Sequence, residues 1–434
     1  MKNSEIKKGL NQSLRQLFSF LPRSARFAIY RSFVECDPAP DQRLVLKIAE
    51  TKQELEACFK LLHDAYVGSG FMQPDPSGMR VTIYHALPTT TTLCAKFDGE
   101  VVGTMSLIRE SVFGFPLQTI FDLTEVRQSG GNIAEVSALA VHPKFRKTGG
   151  SILFPLMKFM YEYCTTFFDT RHLVIAVNPN RIEMYESLLF FQRLTESAVD
   201  KYDFANGAPA VGASLDLHQA PAIFNRVYGT KKPQKNLHHY FIETVLPNIV
   251  IPNRRYYTTN DPVMTAELLD YFFNQRTNVF SKLDARKKNL LHSIYNLEPY
   301  QKVLPEASPE GEDEQALRQH ERYSVKCPGT LSMDLTPSAQ NFTLHVIELS
   351  EDGFQALSNA AVPMNAWGQA KIRLGKSETS TVDVMAVRDR TAGKRRLFGF
   401  KLRKPDLAWT KFVYALRSGT THEDLEHSTR FLPQ

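Results

Sequence analysis

Hydrophobic and polar positions change period several times along the chain, and the changes mark out its parts. Over residues 4–21, Leu10, Leu14, Leu17, Phe18 and Leu21 recur at helical spacing with Lys7, Lys8 and Arg15 between them, which predicts a basic amphipathic helix. Such a helix either packs on the domain behind it or lies on a membrane surface. From about residue 43 the pattern becomes mixed. LVLKIA reads as a strand, KQELEACFKLLHDAYV as a helix, and TTTLCAKF and EVVGTMSLI as alternating strands around Asp98-Gly99, a strong hairpin signal. IAEVSALAV then reads as a central strand, HPKFRKTGG as a loop, SILFPLMKFMYEYC as a helix and HLVIAV as a further strand. That alternation predicts an α/β unit with buried strands.

Residues 216–300 read as a mixed, largely helical extension in which Leu268, Leu269, Phe272 and Phe273 form one apolar face. LPEASPEGEDEQA, rich in proline and acid, marks a linker over 301–316. Beyond it VKCPGTLSMDL, FTLHVIEL, QAKIRL, TVDVMAVRDR and RRLFGFKL alternate as short strands before the helical DLAWTKFVYALRS, the pattern of a small all-β barrel capped by a helix. The expected organisation is an N-terminal segment 1–42, an α/β domain 43–215, the extension 216–300, the linker 301–316 and a barrel domain 317–425. A chain of 434 residues is too long for one ordinary core.

Composition narrows the partners. The chain is 43% hydrophobic and 23% charged, enough to bury cores and solvate a surface. Its five cysteines form no CxxC pair or zinc-ligand cluster, so no metal is expected and a reducing, cytoplasmic setting fits. No apolar run spans a bilayer; the basic N-terminal helix leaves peripheral contact with the inner leaflet open. A net charge of +6 favours phosphates, an acidic carrier protein or lipid headgroups over a nucleic acid polymer.

The segment VHPKFRKTGGSILF passes from strand to helix through a loop holding Arg146, Lys147, Gly149 and Gly150, begins at Val141, and places Ser151 to cap the helix. Glycine amides approach an anion closely and a helix N-terminus adds positive potential, although a tight strand-to-helix turn alone would look similar. In its context, V-x-P-x-x-R-x-x-G-x-S, the loop resembles motif A of the GNAT acyltransferase superfamily. The resemblance implies that it holds the pyrophosphate or phosphopantetheine arm of a thioester donor. VNPNRIEMYESLLFF resembles motif B of that superfamily, with Tyr185 where many members carry a tyrosine near the donor sulfur and Phe190-Phe191 where Gly-Phe is usual. HDAYVGSGFMQPDPSGMR, FGFPLQTIFDL, AEVSALAV and KYDFANGAPAVGASLDL are similar to segments of the FeeM-type N-acyl amino acid synthases, relatives of the acyl-homoserine lactone synthases. This likeness spans about 43–215 and, more weakly, PNRRYYTTNDPVMTAELL. It implies transfer of a long acyl chain from an acyl carrier protein or CoA thioester to the amine of an amino acid or similar acceptor. Ala138 stands where these synthases generally have arginine, which bears on recognition of the acceptor carboxylate.

Moving an acyl group from a thioester to an amine needs a neutral nucleophile, a polarised carbonyl and a proton for the departing thiolate. Glu135 on the central strand is the candidate base, its alternative role being an ordinary strand carboxylate paired with a basic neighbour. Backbone amides near Leu139 to Val141 are candidates for polarising the carbonyl, since the resemblance implies a bulged strand opening there. Tyr185 can protonate sulfur or simply fill a core. With no Ser-His-Asp or Cys-His constellation in recognisable context, direct transfer in a ternary complex is expected. Phe113, Phe115, Phe121, Phe154 and Phe159 are numerous enough to line an acyl tunnel, or to make general core.

Near the barrel, RQHER places Arg318 and Arg322 four residues apart, a pair whose guanidinium groups suit guanine edges and phosphates. With ELSEDG, carrying Glu348, Ser350 and Gly353, and LFGFKL on a later strand, the region resembles a PilZ domain, a receptor for cyclic di-GMP. The resemblance implies that Arg318 and Arg322 embrace the nucleotide, that Ser350 bonds it and that Gly353 permits a close turn, with Glu348 replacing the usual Asp or Asn. The sequence thus points to a cyclic di-GMP-regulated N-acyltransferase. The rival is a non-catalytic, cyclic di-GMP-responsive adaptor whose GNAT-like domain binds lipid or a partner.

Overall fold

The structure, a computed structural model, describes residues 20–146, 148–262, 264–307, 322–335, 338–392 and 395–422. The helix expected over 4–21, Lys147, Arg318 and the linker beyond residue 307 lie outside these residues, apart from Phe20 and Leu21.

Eight strands build the first sheet: β1 (Leu44–Ile48), β2 (Thr90–Phe97), β3 (Glu100–Arg109), β4 (Asn132–Val141), β5 (Thr170–Val177), β6 (Gln192–Arg193), β7 (Val199–Tyr202) and β8 (Ala208–Asp216). The order is β1-β2-β3-β4-β5-β8-β6, with β7 also on β8. Among the sheet strands of the described residues only β4 and β5 run parallel to each other, and the helix between them, α3 (Leu153–Phe168), is the crossover. Asp98 and Gly99 both take left-handed φ between β2 and β3, as a two-residue hairpin needs. Helix α2 (Lys52–Gly68) starts in a capping box: Thr51 accepts from the Glu54 amide at 3.2 Å, and Glu54 accepts from the Thr51 amide at 3.4 Å. One face of the sheet carries α3 and the aromatics Phe224, Tyr228, Tyr240 and Phe241. Against the other face pack α2 and residues 268–304, with Phe115, Leu117 and Phe121. The segment 216–300 is therefore woven into both layers of the α/β core.

Ahead of the sheet, α1 (Arg23–Ser32) docks on α4 (Pro179–Leu189) through Arg23–Glu186 and Arg26–Glu183 ion pairs at 2.6 and 2.5 Å. α4 ends on Phe190 with φ 61°, the left-handed cap that glycine usually supplies. The backbone strain, about 1 kcal/mol or more, is offset by packing of the Phe190 ring against Phe224 and Tyr228 and beneath the Arg31 guanidinium.

The second unit is a closed antiparallel barrel of six strands: β9 (Tyr323–Leu335), β10 (Ser338–Leu349), β11 (Gly353–Ser358), β12 (Trp367–Arg373), β13 (Thr379–Ala392) and β14 (Arg395–Leu402), in the order β10-β11-β14-β13-β12-β9. A C-terminal helix (Leu407–Ser418), capped by Asp406, plugs it with Trp409, Phe412 and Leu416. An α/β acyltransferase-type sheet and a small all-β barrel are the two architectures expected from the sequence.

A strap joins them. Residues 248–250 pair with β1, Tyr256 enters the barrel core against Phe412 at 4.6 Å, and Tyr257 bonds both Leu374 and Lys326. The strap ends at buried Asp261, which receives Arg254 and Tyr163 at 2.7 Å, Arg109 at 3.5 Å and the Thr91 hydroxyl. Burial alone would raise this carboxyl, but Arg109 and Arg254 hold it low. Among the described residues no helix is long and apolar enough to cross a membrane.

Candidate active site

β4 and β5 stay together only from Asn132 to Glu135; beyond that β5 keeps β8, its partner on the other side from His172 onward, and β4 keeps only β3. The β5-facing edge of β4 beyond Glu135 thus loses its strand partner, leaving main-chain groups that need another acceptor or donor. At the parting Ala138 takes φ 53°, a left-handed conformation strained for alanine, where the β3–β4 register shifts. The bulge reverses parity. Before it, Ala134 and Val136 belong to the α3 face while Ile133 belongs to the other; after it, Leu139 and Val141 turn to the α3 face. This is the bulged opening that the resemblance implied, centred one residue before Leu139.

A cavity of about 270 Å³ opens in this split, lined by Val136, Ser137, Ala138 and Leu139 of β4, Met157 and Met160 of α3, and Tyr185 of α4. Phe224, Phe241 and Ile242, from the 216–300 segment, complete its apolar wall. None of Phe113, Phe115, Phe121, Phe154 or Phe159 lines it. Phe115 and Phe121 lie in the cluster on the other face of the sheet, Phe113 packs at the edge of the 268–304 layer, and Phe154 and Phe159 are buried in the core under α3. Helical and strand periods reveal which residues are buried, but cannot say which wall of a split sheet they reach.

Glu135 is 1% exposed and its Oε2 accepts from the Leu117 amide at 3.0 Å. No cation lies within ion-pair distance of it among the described residues, so it is not the paired strand carboxylate of the alternative reading. Burial pushes it up to about 8, against a smaller downward pull from the Leu117 hydrogen bond. Such a group holds a proton near neutrality and can accept or release it within the working range of an enzyme. Tyr185 is half-buried at the cavity wall, its ring edge-on to Phe191 at 5.9 Å, and burial raises its phenol.

The loop before α3 is exposed. Gly149 and Gly150 have φ 66° and 91°, and a Cβ on Gly150 would stand 2.5 Å from the Phe154 ring, so position 150 admits glycine alone. Their amides donate to no backbone carbonyl among the described residues. Arg146 folds back, its Nε donating to the Val141 carbonyl at 2.8 Å, and the Glu35 carboxylate stands near Gly149. Ser151 does not cap the helix, contrary to the expectation from sequence. The N-cap is Ile152, without a side-chain bond, and the Ser151 hydroxyl pairs with that of Thr148 at 2.6 Å. The loop tightens through a turn at Thr148–Ser151 and so delays the helix start to Leu153.

On the barrel, Arg322, Glu348, Ser350 and Gly353 meet around a cavity of about 200 Å³. Arg322 Nη1 donates to Glu348 Oε2 at 3.0 Å, Ser350 Oγ donates to the Gly353 carbonyl at 3.2 Å, and Trp409 Nε1 holds the Ser350 carbonyl at 3.0 Å. Gly353 is required, although not by a left-handed φ: a Cβ there would fall 2.4 Å from the Phe400 carbonyl oxygen on β14. Arg388, set by a bulge in β13, also lines this cavity, a residue the sequence reading missed although VRDR closes a predicted strand. The same Arg322–Glu348 pair borders a cleft of about 1260 Å³ whose other wall carries Arg109, Asn132 and Asp261 of the sheet and strap. Among the described residues no cluster could hold a metal ion.

The split sheet with its bulge and cavity, and the glycine loop before α3, define an acyltransferase-type α/β domain. Residues 57–216 match the family model of N-acyl amino acid synthase FeeM, which supports an acyltransferase of the N-acyl amino acid synthase type over that segment and leaves the barrel outside it. Among solved structures the chain is similar to FeeM, an N-acyl amino acid synthase from uncultured soil microbes, with 24% identity, 42% of this chain and 94% of that one covered, and a TM-score of 0.36. It is also similar to BjaI, a CoA-dependent acyl-homoserine lactone synthase, with 18% identity, coverage of 44% and 91%, and a TM-score of 0.33. LasI, another acyl-homoserine lactone synthase, gives 16% identity, coverage of 40% and 90%, and a TM-score of 0.30. No curated protein matches the chain.

Proposed function

We propose that the chain is an N-acyltransferase that moves a long acyl chain from an acyl carrier protein or CoA thioester to the amine of an amino acid, under control of cyclic di-GMP bound at the barrel. The observation that carries the reading is the apolar cavity in the split between β4 and β5, bounded by the Ala138 bulge and Tyr185, with Glu135 buried on the same strand.

In this mechanism the acyl chain occupies the cavity, and the phosphates of the donor rest on the amides of Gly149 and Gly150, with Val141, Arg146, Lys147 and Ser151 around them. Glu135 takes a proton from the acceptor ammonium. The neutral amine attacks the thioester carbonyl, whose developing oxyanion faces the unpaired amides beyond the bulge. The C–S bond then breaks, the thiolate leaves with a proton from the Tyr185 hydroxyl, and the nitrogen gives up its second proton as the amide forms, to solvent, from which Tyr185 regains its own. Glu135 releases its proton to solvent to close the cycle.

At the barrel, a nucleotide phosphate replaces Glu348 as the partner of Arg322, assisted by Arg318, Arg388 and Ser350. The cleft reaches from this pair to Arg109 and Asp261, and the strap gives ligand binding a mechanical route to the sheet. The experiment is turnover of acyl carrier protein and CoA donors of several chain lengths with a mixture of amino acids, read by thiol release and mass spectrometry, with and without cyclic di-GMP. No N-acyl product from either donor overturns the enzyme; equal rates at saturating nucleotide remove the regulation.

A further inference from the structure

Arg80 lies in the loop after α2 and is 9% exposed. Its Nη2 donates to the Phe204 carbonyl at 2.6 Å, its Nε is buried without a partner, and no carboxylate stands within ion-pair distance among the described residues. A buried guanidinium with no anion is costly, because desolvation is not repaid by a counter-charge. Two rings hold it in place: its carbon lies 4.2 Å from the centroid of Tyr66 and 5.1 Å from that of Phe204. Tyr66 is also part of the wall of the apolar cavity. Beyond Phe204 stand Tyr84 and Tyr202, both 5.8 Å from its ring, and the buried Tyr202 hydroxyl has no partner either. Burial first, and the Glu135 carboxyl second, raise the phenols of Tyr84 and Tyr202, which puts both in the field of that carboxyl. Tyr202, Tyr84 and Phe204 pack in one cluster with Leu117, whose amide holds Glu135. A guanidinium without a counter-ion, a hydroxyl without a partner and the proton-exchanging carboxyl thus border the same aromatic layer on the far side of β4 from α3.

We infer that this cluster holds the acceptor subsite, in which Arg80 and the Tyr202 hydroxyl bind the carboxylate of the amino acid while its amine is directed to Glu135 and the thioester. The inference rests on the acyl-transfer reading and assigns the carboxylate contact that Ala138 cannot make. The phosphate-bearing end of the donor is excluded as the anion, because its loop lies at the other end of β4, before α3.

The test uses the amino acid that the full chain acylates fastest, beside its carboxamide, which keeps the amine and loses the anion. Wild type should prefer the acid, and Arg80→Gln should raise its KM roughly 10- to 100-fold, the loss of a charge-assisted hydrogen bond. KM for the thioester donor and the rate on the carboxamide should stay within about threefold, the range of mutational background, and Arg80→Lys should restore part of the preference. A wild type indifferent to the carboxamide, or an Arg80→Gln variant that keeps the preference, overturns the assignment. Calorimetry with each of the twenty amino acids separates the two readings if wild type acylates none: heat that Arg80→Gln abolishes upholds the subsite, and no heat, or heat the variant retains, removes it.

Discussion

Replacing Glu135 with glutamine separates catalysis from stability, because the structure predicts opposite signs for the two. In the folded chain the carboxyl sits at about 8, against an ordinary 4.5. Unfolding releases it to water, so the unfolded state loses its proton first, and the group costs stability progressively from about pH 4.5 to about pH 8. Near pH 7 that cost is about 3 kcal/mol. The substituted amide would keep an oxygen for the Leu117 amide and could not ionise, so Glu135→Gln should unfold later than wild type at about pH 8, less the cost of its unpartnered amide, and show no gain near pH 4. Activity should move the other way. At about pH 7 roughly one molecule in ten carries the free base, so wild-type kcat/KM should climb nearly tenfold per pH unit below neutrality and flatten near pH 9. The variant should lose about 10²- to 10⁴-fold and keep only the inflection of the acceptor amine. Thermal melts and thiol release across that range are the assay. A variant within about threefold of wild-type turnover, or a wild type without an inflection near 8, would refute Glu135 as the base.

Met160→Trp should fill the cavity in the split sheet and shift the preferred acyl donor to shorter chains, read by product masses from a mixed-length donor pool. Arg322→Ala removes the group that trades Glu348 for phosphate, so calorimetry should show cyclic di-GMP affinity falling by about tenfold or more, with Arg388→Ala milder and turnover without nucleotide unchanged. Glu54 is 8% exposed at its side chain; burial alone would raise it, but Lys96 and Lys47 hold it at about 2. Glu54→Gln should cost about 3 kcal/mol near neutrality in denaturant unfolding, a difference that closes as pH falls from about 4.5 to about 2.

Local signals carried much of the architecture. Asp98-Gly99 encodes its hairpin because both residues tolerate left-handed φ, and the barrel strands announced themselves by alternation. The Gly149-Gly150 loop was visible as a glycine pair ahead of a helix, and Glu135, Tyr185, Arg322, Glu348, Ser350 and Gly353 were all named from their context. What escaped depended on distant packing. Ala138 sits inside an alternating strand pattern, and its left-handed bulge lies just past Glu135, where β4 loses β5 as a partner, a parting set by pairing with strands far along the chain. The strap PNRRYYTTND has no period, since its residues serve the sheet and the barrel in turn. Arg80 looked like one charged loop residue among many, and its significance lies in the anion that its burial leaves out.

The most direct measurement is a single-turnover reaction in which the purified chain, loaded with an acyl-thioester donor, is mixed with the twenty amino acids and quenched for mass spectrometry. An N-acyl amino acid should appear in step with free thiol and without a covalent acyl-enzyme, and blocking the cavity with Met160→Trp should remove the long-chain product. Thiol release with water as the only acceptor, or a long-chain product that survives the blocked cavity, would contradict direct transfer at the split in the sheet.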